Sequence, residues 1–257
     1  MSDIPKFNNE GGVAEGFDLR KGDCLEIMKD IPDNSIDMVL TDPPYGTTAC
    51  KWDTGIDFEL MWEQLKRITK DNGAICLFSQ MPFSASLVMS NPKMFKYNWV
   101  WNKPRATGHL NAKIYPMKDH EDIQVFCKKP HNYYPQFSRG KAYTRQSGKG
   151  SENYNKQISI KTNNEGRRYP KTTLSFNVAK TKLHPTQKPV ALLEYLIKTY
   201  TLENETVLDF TAGSFSTGVA CVNLNRKFVG IEKDDRYFEI GSNRVKEAID
   251  AKGASWT

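Results

Sequence analysis

Asp42, Pro43, Pro44 and Tyr45 follow directly on a mostly apolar run, Asp37-Met38-Val39-Leu40-Thr41. A short apolar run halted by turn formers reads as a buried strand. Two consecutive prolines fix φ twice and remove two backbone donors, so the chain leaves the sheet in a stiff, extended turn. That turn presents a carboxylate, two free carbonyls and an aromatic ring at the carboxyl edge of the sheet, where open α/β folds bind their ligands. A carboxylate and a carbonyl together accept both hydrogens of an amino group, while the ring stacks on the base that bears it. This is the equipment for chemistry on the exocyclic amine of a flipped base. A prolyl turn also serves purely structural ends, and the tetrapeptide alone leaves both readings open.

A second chemical stretch runs Val207-Leu208-Asp209-Phe210-Thr211-Ala212-Gly213-Ser214-Phe215-Ser216-Thr217-Gly218. A strand ends in an acid, passes through a small-residue loop and enters a helix. That is the general layout of a nucleotide-cofactor loop, in which backbone approaches the ligand at a helix N-terminus. Glu232, at the end of the next apolar run, stands where an acid can hold ribose hydroxyls. The loop is not GxGxxG, and such turns also serve tight packing of strand on helix. A third stretch, His184-Pro185-Thr186-Gln187-Lys188-Pro189, precedes a helical pattern. Read on its residues, it is a polar loop with a prolyl helix start, and His184 fits a structural role as well as a functional one.

Positioning these groups calls for alternating strands and helices. Strands are expected over 17–21, 37–41, 73–79, 97–101, 123–126, 206–209 and 227–231. Helices are expected from Cys24, over 57–70, 82–90, 190–200 and 215–224, and from Arg236 to about Ile249. Pro189 suits the start of the helix over 190–200. Repeated β-then-α units imply an α/β fold with a mainly parallel sheet covered by helices on both faces. No internal repeat is visible.

Composition narrows the function classes. The 257 residues are enough for one large domain, or a domain with an insertion, and a full core. Cys24, Cys50, Cys76, Cys127 and Cys221 show no paired spacing, and four histidines show none at helical spacing. Neither a disulfide framework nor a metal centre is expected, and reduced thiols fit a cytoplasmic protein. There is no signal-peptide layout and no apolar stretch of membrane-spanning length, so no membrane partner is expected. Residues 1–16 read as a loose arm. The net charge is +6, but residues 128–182 hold thirteen Lys/Arg against two Glu, a surplus of eleven that leaves the rest at −5. Tyr133, Tyr134, Phe137, Tyr143, Tyr154, Tyr169 and Phe176 interleave with that charge. A basic, aromatic, amide-rich segment inside an acidic chain fits a nucleic-acid surface. A solvated loop is the alternative.

In this order, the motifs resemble those of the amino-methylating DNA methyltransferases, in the permuted group whose DPPY element precedes the cofactor loop. Four segments carry the likeness: Gly22-Asp23-Cys24; Asp42 to Tyr45; His184 through Glu194; and Leu208 through Gly218, with Glu232 beyond. Weaker likeness includes Trp101-Asn102-Lys103 and His120-Glu121. It covers roughly residues 17–250.

The resemblance implies a Rossmann-like methyltransferase fold and S-adenosylmethionine as methyl donor. Asp42, Pro43, Pro44 and Tyr45 would be catalytic, with Asp42 also reaching the cofactor. Asp209, Phe210, Gly213, Ser214 and Thr217 would cradle its methionine end, Glu232 its ribose and Asp23 its adenine end. His184, Thr186, Gln187 and Lys188 would close over it. The catalytic domain would comprise 17–127 and 183–257, and 128–182 would be a target-recognition insertion. Arg139, Lys141, Arg145, Arg167 and Arg168 are its candidate DNA contacts. The substrate would be double-stranded DNA, and relatives often pair as homodimers. Aspartate in the first motif position favours adenine N6 over cytosine N4. Small size and the absence of a nuclease-like segment suggest a stand-alone modification enzyme.

The cofactor loop departs from the family at Phe215, where a glycine is usual. If Phe215 impaired the cofactor site, a catalytically silent DNA-binding protein would be the result. A protein-glutamine or RNA methyltransferase is the other rival. Those relatives carry asparagine first in the motif, place the cofactor loop before it and lack the basic insertion.

Overall fold

Successive residues of a strand face opposite sides of a sheet, and here both sides are apolar. In β2 (Ile36–Thr41), Met38 and Leu40 pack into one cluster and Val39 into another. In β3 (Thr69–Ser79), Ala74, Cys76 and Phe78 join the first while Ile75 and Leu77 join the second. The expectation of a sheet covered on both faces is met in a computed structural model that describes residues 15–46, 55–146, 161–179 and 183–253.

The remaining elements of the sheet and its cover run in chain order. β1 is Phe17–Lys21, α1 Cys24–Ile27, α2 Phe58–Ile68, α3 Phe83–Ser90, β4 Phe95–Thr107 and β5 Lys118–Phe126. Four short strands follow: β6 (Ser138–Arg139), β7 (Tyr143–Gln146), β8 (Lys161–Asn164) and β9 (Arg167–Arg168). Then come β10 (Thr173–Ser175), α4 (Val190–Tyr200), β11 (Thr206–Asp209), α5 (Ser216–Leu224), β12 (Lys227–Glu232) and α6 (Asp235–Lys252). The main sheet has the order β1-β12-β11-β2-β3-β5-β4-β10, parallel except where β5 runs antiparallel to β3 and β4. α4, α5 and α6 supply the first cluster; α2 and α3 supply the second.

Local chemistry accounts for the helix starts near the sheet's carboxyl edge. Asp23 caps α1 by accepting from the Leu25 amide at 3.0 Å, and Asp57 caps α2 by accepting from the Glu59 and Leu60 amides. α2 buries Met61, Trp62, Leu65 and Ile68, one stripe of a helix with a polar back.

Two expectations need adjusting. β4 and β5 extend well beyond 97–101 and 123–126, because they continue as a polar hairpin past the apolar core. The basic stretch 128–182 is also not one piece. The chain forms two compact units, Met1–Tyr134 with Thr172–Thr257, and Pro135–Lys171. The Lys129, Asn132 and Tyr134 amides bond the Asp71, Asn72 and Thr199 carbonyls, and β10 pairs with β4. Both flanks therefore belong to the larger unit. The arm expected over 1–16 lies outside the described residues up to 14, and the Gly16 carbonyl accepts from the Phe228 amide at 2.8 Å.

Within the smaller unit, β6 pairs antiparallel with β9 and β7 with β8. Gly166 joins the two pairs at φ +98°, and an added Cβ would meet the Gly140 carbonyl oxygen at 2.4 Å. Only glycine fits that turn.

Candidate active site

The carboxyl ends of β1, β2, β11 and β12 open into one cavity of about 820 Å³, lined among others by Asp23, Asp42, Tyr45, Lys188, Gly213 and Glu232. That volume lies in the range of small-molecule sites. Thr186, Gln187, His184, Asp209, Phe210, Ser214, Thr217, Pro43 and Pro44 also line it, so the motifs scattered along the sequence converge.

Asp42 leaves β2 with both carboxylate oxygens engaged. The Tyr45 hydroxyl donates to Oδ1 at 2.6 Å and the Lys188 ammonium to Oδ2 at 2.5 Å. Its backbone carbonyl accepts from the Thr211 hydroxyl at 3.1 Å. Lys188 also lies 3.1 Å from Glu121 Oε2, and the Lys103 ammonium donates to Glu121 Oε1. Burial lifts the Asp42 carboxyl above its usual range; Lys188 opposes that rise and Glu121 adds to it. Burial works against charge on Glu121 too, but Lys188 and Lys103 outweigh it and hold the carboxyl low. Burial disfavours the Lys188 charge, and Asp42 and Glu121 more than restore it. The Tyr45 ring stacks on Phe83, with centroids 4.7 Å apart and planes at 25°. That contact fixes one ring face.

The cofactor loop is held from beneath. Asp209 accepts from Thr41 at 2.7 Å, from Thr217 at 2.6 Å and from the Thr211 amide at 3.3 Å. Burial pushes its carboxyl up to about 6, against those donors. Asp209 and Thr217 thus brace the turn while lining the cavity beside Gly213 and Ser214. Glu232 accepts from the Gly213 amide at 2.7 Å and the Asp234 amide at 2.8 Å. Burial raises it, with the amides of Asp234, Gly213 and Lys233 opposing. Asp23 pairs with Lys233 at 3.0 Å. Burial acts against its charge, yet that lysine and the Leu25 amide leave it below the ordinary value.

His184 sits over this loop: an added Cβ on Gly213 would lie 3.4 Å from its ring. The ring packs edge-on against Tyr237 at 4.2 Å, and Nδ1 accepts from the Thr186 amide at 3.3 Å. Burial and the Lys188 charge lower its pKa to about 4. The Gln187 side-chain carbonyl accepts from the Leu183 amide at 2.9 Å, which closes the turn.

Phe215 turns away from the cavity. It takes a left-handed backbone (φ 51°, ψ 38°) and its side chain is fully buried, edge-on to Phe228 and Phe238. Gly230 and Gly241 make the room: an added Cβ would meet the ring at 2.4 Å and 1.8 Å. The neighbours Ser214 and Ser216 still face the cavity. The loop keeps its open surface, and the argument for a crippled cofactor site loses its support.

Sequence reasoning passed over several supports. Thr41 and Thr211 orient the two acids, and Arg244 donates to the Ser214 carbonyl and, at 3.2 Å, to the Ser216 hydroxyl. Nothing in the spacing of Arg244 announced this. Glu121 did leave a trace, in the weaker likeness at His120-Glu121.

In the smaller unit, Arg139, Lys141 and Arg145 are exposed. Arg167 lies over the Phe137 ring at 3.4 Å. Arg168 is half-buried: it donates to the Asn164 side chain and the Lys141 carbonyl and covers the Tyr143 ring. It ties the strand pairs together. No metal-binding cluster occurs among the described residues, and no described helix is long and apolar enough to cross a membrane.

A DNA methylase family model, that of the N6 and N4 methylases, matches residues 36–243. The chain is 29% identical to the DNA adenine methyltransferase YhdJ of Escherichia coli K12, over 95% of this chain and 85% of that one. It is 26% identical to the type II methyltransferase M.HinfI of Haemophilus influenzae, over 89% and 68%. Among solved structures, the M1.HpyAVI–SAM complex superposes with a TM-score of 0.61 at 25% identity, over 89% of this chain and 99% of that one. The PvuII cytosine-N4 methyltransferase, at 15% identity and TM-score 0.65 over 92% of each, shares the fold. The chain belongs to the DNA methylase family, as an enzyme that uses S-adenosylmethionine to methylate DNA.

Proposed function

We propose that the protein methylates the exocyclic N6 of an adenine flipped out of double-stranded DNA. The observation that carries this reading is the Asp42 carboxylate, held at the sheet's carboxyl edge by Tyr45 and Lys188 inside the cofactor cavity. S-adenosylmethionine supplies a methyl group made electrophilic by its sulfonium. Gly213, Ser214, Glu232 and Asp23 are the residues to hold it, with His184, Thr186, Gln187 and Lys188 above them, and the open glycine loop fits such a ligand.

The residues of the chain then act on the base. An aromatic amine is a poor nucleophile because its lone pair is delocalised into the ring. Asp42 and the Pro43 carbonyl, accepting its two hydrogens, favour a pyramidal nitrogen with a free lone pair. Their placement supplies in-line alignment and stabilises the positive charge that grows on nitrogen. Asp42 is also the group nearest to receive the proton. Tyr45, backed by Phe83, offers an aromatic wall for the flipped ring.

The smaller unit is the proposed reader of flanking sequence, with Arg139, Lys141, Arg145 and Arg167 as DNA contacts and Arg168 as their brace. The β4–β5 hairpin adds a second candidate surface: Leu110, Ile114 and Tyr115 are exposed beside Lys113 and Lys118. We place the protein in the cytoplasm, as a homodimer, which sedimentation at micromolar concentration tests.

The aspartate-first motif and the adenine activity named for YhdJ favour adenine. Nucleoside mass spectrometry on mixed-sequence DNA treated with the protein and S-adenosylmethionine tests it, with Asp42→Ala as control. N6-methyladenine from the wild type alone is expected. N4-methylcytosine would keep the reaction and overturn the base, and full activity in Asp42→Ala would remove Asp42 from the mechanism.

A further inference from the structure

Two residues that the chemistry above leaves idle, Lys103 and Glu121, join Lys188 and Asp42 in one buried chain of charges. Lys103 ends the stretch Trp101-Asn102-Lys103 on β4, Glu121 follows His120 on β5, and Lys188 stands in the loop before α4. Lys103 bonds Glu121 Oε1; Lys188 lies 3.1 Å from Glu121 Oε2 and 2.5 Å from Asp42 Oδ2. Glu121 and Lys188 are each only 9% exposed. Four charges alternate in sign across β4, β5, the loop before α4 and the turn after β2, and end on the carboxylate assigned to the target amine.

Burying two carboxylates and two ammoniums carries a large desolvation cost, and replacing such a set with apolar residues of similar volume is often neutral or stabilising. The chain is therefore poorly explained as a stability device. Asp42 shows what it is for. Both of its oxygens are taken, Oδ1 by Tyr45 and Oδ2 by Lys188. An amino group that needs Oδ2 must displace the Lys188 ammonium, and an ammonium released into a dry site would oppose the displacement. Glu121 removes that obstacle, since its Oε2 is already within reach.

We infer that Lys103, Glu121 and Lys188 form a positioning relay, in which Glu121 receives the Lys188 ammonium when the target amine takes Asp42 Oδ2. Lys103 sets the balance. By neutralising Oε1 it keeps Glu121 from drawing Lys188 off Asp42 before a base arrives. Lys188 stays charged in both arrangements, no proton moves along the chain, and the Asp42 carboxylate remains ionised and aimed. The relay rests on the methyl-transfer reading of Asp42.

The other groups around Asp42 are fixed in their roles. Tyr45 donates from its own loop, Asp209 adds negative charge from β11, and Thr211 holds the Asp42 carbonyl. Charge changes at 103 and 121 consequently act on Asp42 with opposite sign. Glu121→Gln removes an anion and commits Lys188 to Asp42, so Asp42 titrates at lower pH. Lys103→Gln frees Glu121 to hold Lys188, so Asp42 titrates at higher pH.

The test is a ¹³C NMR titration of aspartate-labelled protein, with Asp42→Asn to assign the signal. Shifts of about one pH unit in these opposite directions are expected. No shift, or shifts of the same sign, would overturn the relay. A variant that fails to fold leaves the sign of the other to decide. Single-turnover methylation gives a second readout: Glu121→Gln should lose about tenfold in rate with S-adenosylmethionine affinity nearly unchanged, and Glu121→Asp should recover part of it. A wild type that transfers no methyl group would sink the activity and leave the titration to judge the relay.

Discussion

The cavity at the sheet edge and the basic unit Pro135–Lys171 solve opposite problems with opposite means. In the cavity, most functional groups are buried or half-buried, and its acids are bonded at least twice: Asp209 to three donors, Asp42 to two, Glu232 to two amides. In the basic unit, four of the five candidate contacts are exposed, and Arg168 alone among them is half-buried and knitted into the backbone. Transferring a methyl group demands fixed geometry, which burial and redundant hydrogen bonds provide. Reading a sequence demands side chains free to meet phosphates and base edges. Substitutions in the first region should change stability and chemistry together; those in the second should change affinity and leave the fold alone.

The largest effect expected is at Phe215. Phe215→Gly empties a packed site between β12 and α6, a loss of about 3–5 kcal/mol for a buried phenylalanine. Relief of the left-handed backbone returns about 1–2 kcal/mol. Denaturant unfolding should show the net loss, while calorimetry below the midpoint should find S-adenosylmethionine affinity little changed. A collapse of affinity without loss of stability would put the ring back at the ligand. Thr217→Val comes next: it strips a donor from Asp209 Oδ2 in a buried site, at about 1–3 kcal/mol. Asp209 should then titrate above about 6.

In the basic unit the scale is smaller and the readout changes. Arg145→Ala should weaken DNA binding across sequences and lower the salt slope by about one, with an unchanged melting temperature. Arg168→Ala should weaken binding too, but together with loss of amide protection in 138–146 and 161–168. If the two variants behave alike, Arg168 is a DNA contact and not a brace.

The difference between the regions also governs what could be read in the sequence. The strands and helices of the larger unit were legible because apolar periodicity is strong where both faces of a sheet are covered, as in Val207-Leu208 or Ile75-Cys76-Leu77. The short strands of the basic unit and β10 were not, since they are brief and, apart from Leu174, Asn164 and Arg168, exposed. The candidate site residues were legible as motifs, which meet in one cavity, yet their partners were not. Asp209 and Thr217 read as ligand contacts; they line the cavity, and their bond to each other was not legible. Phe215 looked like damage to the loop, and only the placement of Gly230 and Gly241 shows its destination. Pairings of this kind lie across strands far apart in sequence, where no local pattern records them.

The smallest effect tests whether the loop that carries His184 is as dry as the rest of the cavity. His184 titrates near 6.5 when unfolded and at about 4 in the folded protein, because burial and Lys188 disfavour its charge. A base with a depressed folded pKa supports the fold fully above 6.5. That support is lost as pH falls toward 4, where the unfolded chain takes up a proton that the folded chain refuses. His184→Asn has no such proton to refuse. The gap in melting temperature between wild type and variant should therefore shrink between pH 6.5 and 4 and stay level above 6.5. A gap that is constant across the whole range would mean that His184 is solvated, and that its loop belongs with the adaptable surfaces and not with the fixed site.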